Sequence, residues 1–267
     1  MPSRHLVLAT AAAVASLVAS PAYASHHRTP PPPPPPASPV TYDVSYPQCG
    51  MSLPGNATGG IVGVNNGIVL SSNPCLASEY AWAATKTPYG AAFYANTGNP
   101  GPAYSTHWPT AAQTLPLACD GTNSYACSYD YGWNYGQDAF TKASSVTSTA
   151  AGAAWWLDVE TGNSWETLES AYGQTTTART NDQASVAGAI AALQSNGVAT
   201  VGVYSTSYQW SQIMGASGSQ FAAQPAWVAG VGSLSTAQAN CATTSFTGGQ
   251  VTLAQYAYNG YDADYHC

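Results

Sequence analysis

The segment Trp155-Trp156-Leu157-Asp158-Val159-Glu160 is an apolar run that ends in two carboxylates spaced i, i+2. Four apolar positions suffice for a buried strand, and side chains alternate along a strand, so Asp158 and Glu160 project to the same side. Charged residues make up only 6% of the chain, so two acids at the tip of an apolar strand stand out. Burying a carboxylate costs several kcal/mol unless it is paired or protonated. Two held together titrate unequally, which leaves a proton donor beside an ionised partner at neutral pH. Glycoside hydrolysis uses such a pair: one carboxylic acid protonates the leaving oxygen, and another carboxylate attacks the sugar or stabilises its positive charge. The plainer alternative is a strand-end Asp capping the next turn beside a solvated Glu.

Other acids fall at comparable places. Short runs rich in Val, Ile, Tyr and Trp predict strands over 42–46, 61–64, 92–95, 154–159, 200–204, 225–229 and 251–256, with a possible eighth around 262–264. Asp43 sits in the first and Asp264 in the last. Between the strands, Asn73-Pro74 predicts a helix through Lys86, Asn134 one through Lys142, Asn181-Asp182 one through Ser195, and Ser207 one through Met214. Buried strands alternating with helices imply a parallel sheet. Seven or eight strands in 228 residues favour closure, and the glycine-rich dinucleotide fingerprint of an open sheet is missing. The expected fold class is therefore α/β, a modified (β/α) TIM-type barrel held by disulfides. In such a barrel the C-terminal strand ends converge on one face, which would bring Asp43, Asp158, Glu160 and Asp264 together.

Composition bounds the rest. Residues 1–24 read as a signal peptide: Arg4 and His5, an apolar stretch from Leu6 to Val18, then Ala22-Tyr23-Ala24, with cleavage near Ala24. That stretch is too short to span a bilayer well, and no later segment resembles a transmembrane helix. Residues 25–39 include seven consecutive prolines, a polyproline spacer rising about 3 Å per residue. Residues 40–267 form one even-textured domain. After the leader, four basic residues face twelve acids, a net charge of −8, which argues against nucleic-acid binding. The six cysteines (Cys49, Cys75, Cys119, Cys127, Cys241 and Cys267) in an exported chain imply disulfides, with nearest-neighbour pairing expected. No metal site or cofactor is expected. Ser205 lacks a nucleophile elbow, and His107 reads as a loop residue rather than a general base.

Tyr46, Tyr94, Trp156, Tyr204, Trp227 and Tyr256 all fall near predicted strand ends. As a set they offer flat faces with polar rims for stacking on sugars; for any one of them, filling the core is the plainer role.

These blocks, in this order, resemble glycoside hydrolase family 25, secreted lysozymes with a modified β/α barrel, and within it a group of secreted actinobacterial proteins. The family's opening D-V-S with an aromatic and a glutamine is similar to Asp43-Val44-Ser45-Tyr46-Pro47-Gln48; its D-x-E strand end is similar to Asp158-Val159-Glu160. Gly202-Val203-Tyr204-Ser205, Trp227-Val228-Ala229 and Gln255-Tyr256 followed by Asp264 resemble its later strands. Departures are Tyr46-Pro47 in place of the family's H-W, a choice between Asp262 and Asp264 (Asp264 fits the small-D-apolar pattern), and an insertion over roughly 96–132.

The resemblance implies Glu160 as general acid/base, Asp158 as nucleophile or as the group that orients the 2-acetamido function, and Asp43 and Asp264 as the acidic floor. The implied reaction cleaves the β-1,4 bond between N-acetylmuramic acid and N-acetylglucosamine in peptidoglycan, with retention, by a secreted monomer. Two alternatives stay open at this level: a barrel that binds wall glycan without turnover, and a glycosidase acting on another polysaccharide.

Overall fold

The computed structural model describes residues 40–215 and 219–267; the expected signal peptide and proline spacer lie outside them. Eight strands close into a barrel in sequence order: β1 Thr41–Val44, β2 Gly59–Gly63, β3 Gly90–Asn96, β4 Trp155–Asp158, β5 Val201–Ser205, β6 Ala226–Val228, β7 Val251–Tyr258 and β8 Tyr261–His266. Strands β1 to β7 are parallel neighbours. The eighth corrects the all-parallel expectation, since it runs antiparallel to both β7 and β1. The cause is local. Asn259 and Gly260 both hold positive φ, 54° and 81°, which suits a two-residue hairpin turn and leaves no chain for a crossover.

Alternation along the strands sorts residues between two faces. The outward set, including Val62, Phe93, Trp155, Leu157 and Val203, forms the main apolar core with the helices. Inward, Ile61, Trp156, Trp227 and Leu253 fill the barrel, with Ala92, Tyr94 and Tyr204 against them.

Among the described residues five α-helices surround the strands: α1 Leu76–Ala83, α2 Tyr125–Ser144, α3 Thr176–Ser195, α4 Ser207–Ile213 and α5 Leu234–Asn240. Two begin earlier than expected because other residues cap them. Ser124 accepts from the Cys127 amide at α2, and Thr175 from the Ala178 amide at α3. Asn181 and Asp182, read from sequence as a helix start, instead lie buried inside α3. Helix α5, capped by Ser233, was not anticipated. Helices α2 and α3 pack at backbone distance. A Cβ on Gly132 would lie 1.8 Å from the Ser185 carbonyl oxygen, and one on Gly188 would lie 2.0 Å from that of Tyr129. The disulfides join Cys49–Cys75, Cys119–Cys127 and Cys241–Cys267, the nearest-neighbour pairing. Among the described residues no helix is long and apolar enough to cross a membrane.

Candidate active site

Asp158 closes β4 on its inward face, and Glu160 follows two residues on, at the rim. The Asp158 carboxyl is buried, and the Asn96 side-chain amide at the end of β3 donates to its Oδ2 at 2.5 Å. Among the described residues its Oδ1 meets no N–H or O–H donor. Burial first, and the Glu160 charge second, hold Asp158 well above the usual carboxylate range, against the opposing pull of Asn96 and Asn163. Glu160 is more open to solvent. Gln209 of α4 donates from Nε2 to Glu160 Oε1 at 3.1 Å and accepts from the Thr161 amide at 2.6 Å, fixing the loop that carries the acid.

A second carboxyl pair sits across the barrel. Asp264 is fully buried in β8, and the Trp227 indole donates to its Oδ1 at 2.7 Å. Asp43 of β1 lies beside it, and Gln255 of β7 donates to Asp43 Oδ2 at 3.0 Å. Burial raises both acids; Asp43 is pushed up to about 7, with the Asp262 charge adding to the effect of burial. Although β8 runs backwards, its register delivers Asp264 to the site. Asp264 pairs with Gln255 on one side and Thr41 on the other, while Asp262 pairs with Asp43. Of the two candidates at the chain end, Asp264 is the buried one and Asp262 is exposed.

The Tyr204 hydroxyl donates to Gln255, which in turn donates to Asp43. Burial raises the pKa of Tyr204, and so do the charges of Asp43, Glu160, Asp158 and Asp264. Asp43, Asp158 and Asp264 thus face the barrel interior, with Glu160 beyond the end of β4. Chemically, such a pocket can hold one or more protons on carboxyls at neutral pH beside an ionised neighbour, which is what acid/base cleavage of an acetal needs.

The six aromatics divide. Tyr46 is exposed at the rim, and Tyr94 and Tyr204 are half-buried at the mouth. Trp227 (2% exposed) and Trp156 (4% exposed) are barrel filling, their rings 5.7 Å apart, with no open face for a sugar. Tyr256 points outward, into a cluster with Val40, Tyr42 and Ala237. Alternation explains this last correction: Gln255 faces inward, so its neighbour cannot. Sequence reasoning passed over Asn96, Gln209 and Gln255 as site residues. The first and last carried a signal, being polar residues at inward positions of apolar strands.

No protein-family model and no curated protein matches the sequence. Its fold, an eight-stranded α/β barrel, is shared with solved structures of muramidases and a lysozyme. The muramidase of Trichobolus zukalii superposes with a TM-score of 0.54 at 15% identity, over 86% of this chain and 94% of that one. The muramidase of Acremonium alcalophilum gives 0.54 at 15% identity, over 86% and 93%. The bacterial lysozyme of Streptomyces coelicolor gives 0.53 at 16% identity, over 87% and 93%.

Proposed function

We propose that this chain is a secreted glycoside hydrolase of the family 25 type. In this reading it cleaves the β-1,4 bond between N-acetylmuramic acid and N-acetylglucosamine in peptidoglycan, with retention. The observation that carries the reading is the placement of Asp43, Asp158 and Asp264 on strands of one closed barrel, with Glu160 two residues beyond the end of β4. Glu160, the more solvent-open acid of its pair, protonates the leaving oxygen and then activates water. Asp158 either attacks the sugar carbon as nucleophile or orients and polarises the substrate's 2-acetamido group, whose oxygen then attacks. Asp43 and Asp264 keep the floor acidic. The three disulfides suit an oxidising, extracellular setting, as does the signal peptide read from the sequence.

Clearing of a bacterial cell-wall suspension, with Glu160→Gln as control, tests the proposal. Wall lysis that falls about 10²–10⁴-fold in the variant is the expected outcome. Lysis that survives the substitution removes Glu160 from its role. Wild-type protein that binds glycan but cuts none is instead a non-catalytic glycan binder.

A further inference from the structure

Glu79 of α1 is a buried acid outside both carboxyl pairs, only 2% exposed. It lines a cavity of about 350 Å³ between the loop that follows β1 and helix α1, together with Gln48, Met51, Leu53, Cys75 and Trp82. That volume lies within the range of small-ligand sites, roughly 300–1,000 Å³.

One oxygen of the Glu79 carboxyl is committed and the other is not. Asn73 Nδ2 donates to Glu79 Oε2 at 2.6 Å and to the Gly63 carbonyl at 2.8 Å, and Asn73 Oδ1 accepts from the Cys75 amide at 2.9 Å. These bonds use both N–H groups of the Asn73 side chain and fix which way its amide faces. Glu79 Oε1 meets no donor among the described residues. Burial holds the carboxyl above its usual range, against the pull of Asn73. A buried carboxylate served on one side only is stabilised by a positive partner. No Lys, Arg or His lines the cavity, and Lys86 holds its ammonium over the Trp82 ring, 5.4 Å from the ring centre.

The walls specify what carries the missing charge. Met51, Leu53 and Trp82 are apolar, and Met51 stands 52% exposed. A long amine lays its methylenes along such a surface and delivers its head group to the acid. A divalent ion would find one carboxyl here rather than a set of six or more oxygens. The Cys49–Cys75 disulfide ties the loop to the start of α1, so the two walls are joined before a ligand arrives.

We propose that this cavity is a recognition site for a primary alkylammonium group, of the kind a lysine side chain carries, with Glu79 as its counter-ion. None of Asp43, Asp158, Glu160 or Asp264 lines it, and the inference stands apart from the glycosidase reading.

The test is calorimetric titration of the protein with Nα-acetyl-lysine N-methylamide, beside the norleucine analogue, which has the methylenes without the charge. The lysine compound should bind at least about tenfold more tightly than the norleucine one. Glu79→Gln keeps the shape of the side chain and should abolish that preference. Met51→Ala, a change at an exposed residue that leaves the core intact, should weaken binding of the lysine compound about three- to tenfold. Asp120→Asn removes the same charge at an exposed position elsewhere and should leave its affinity unchanged. No binding, equal affinity for the two compounds, a preference that survives Glu79→Gln, or affinity for the lysine compound that Met51→Ala leaves unaltered would overturn the proposal. An equal loss in Asp120→Asn would do so too, by showing general attraction to an acidic surface.

Discussion

The hydroxyl of Tyr204 donates to Oε1 of Gln255 at 2.9 Å, although 51 residues separate them. The same Oε1 accepts from the Gly230 amide at 3.1 Å, and the Gln255 Nε2 donates to Asp43 at 3.0 Å. One amide thus orders a phenol on β5 and a carboxyl on β1. Because it donates to Asp43, Gln255 favours the ionised form of an acid that burial otherwise keeps protonated.

Tyr204→Phe removes one hydroxyl and leaves Gln255 its contact with Gly230. The expected stability loss is about 1 kcal/mol. Glycan cleavage should fall further, about 10–100-fold in kcat/KM, because the hydroxyl orders Gln255 and through it the Asp43 carboxyl. Calorimetric melting beside steady-state kinetics separates the two effects; equal, small changes in both would show that the hydroxyl only supports the fold.

Trp227→Phe takes away the indole N–H that donates to Asp264 Oδ1, along with buried ring volume. Together these should cost about 2–4 kcal/mol. Denaturant titration measures the loss, and a cost below about 1 kcal/mol would mean that Asp264 finds another donor.

Asp43 carries a pH signature. Its folded-state pKa, pushed up to about 7 by burial and by Asp262, exceeds the unfolded value of roughly 3.9. The folded state therefore holds the proton more tightly. Its contribution is fully present below about pH 4 and is lost as pH rises through 7. Asp43→Asn should flatten that limb, gaining roughly 1–2 kcal/mol on wild type between pH 4 and 8 once partial solvent exposure is allowed for. Melting curves across this range check the sign; parallel curves for the two proteins would contradict it.

Asp182→Ala strips the acceptor from four donors: Asn99, the Glu166 and Thr167 amides, and the Thr167 hydroxyl. A loss of about 3–5 kcal/mol is expected, because buried N–H groups are left unpaired beside Glu166. Hydrogen exchange should quicken in residues 97–99 and 165–167 before the barrel strands. Uniform quickening throughout would show that the network supports the whole fold rather than these loops.

Much of this molecule is legible along its chain. Seven strand runs and the barrel closure they imply follow from local pattern, because burial on both faces demands apolar runs; six cysteines allow fifteen pairings, and only the fold selects the nearest-neighbour set. The pairing of Asp158 with Glu160 follows from period-two alternation alone. Other features needed a partner distant in sequence. Tyr256, next to the inward Gln255, packs outward in a cluster with Tyr42, so its place near a strand end did not put it at the site. The Asn181-Asp182 pair has the composition of a helix cap, yet a buried network on Asn99 and Glu166 claims it. Trp227 has the look of a sugar platform, and closure of the barrel makes it a core residue whose indole serves Asp264. Local residue types thus determined which groups could do chemistry. Barrel closure and the reversed last strand decided which of them meet, because contact between side chains over 200 residues apart depends on strand register, a property of the assembled sheet.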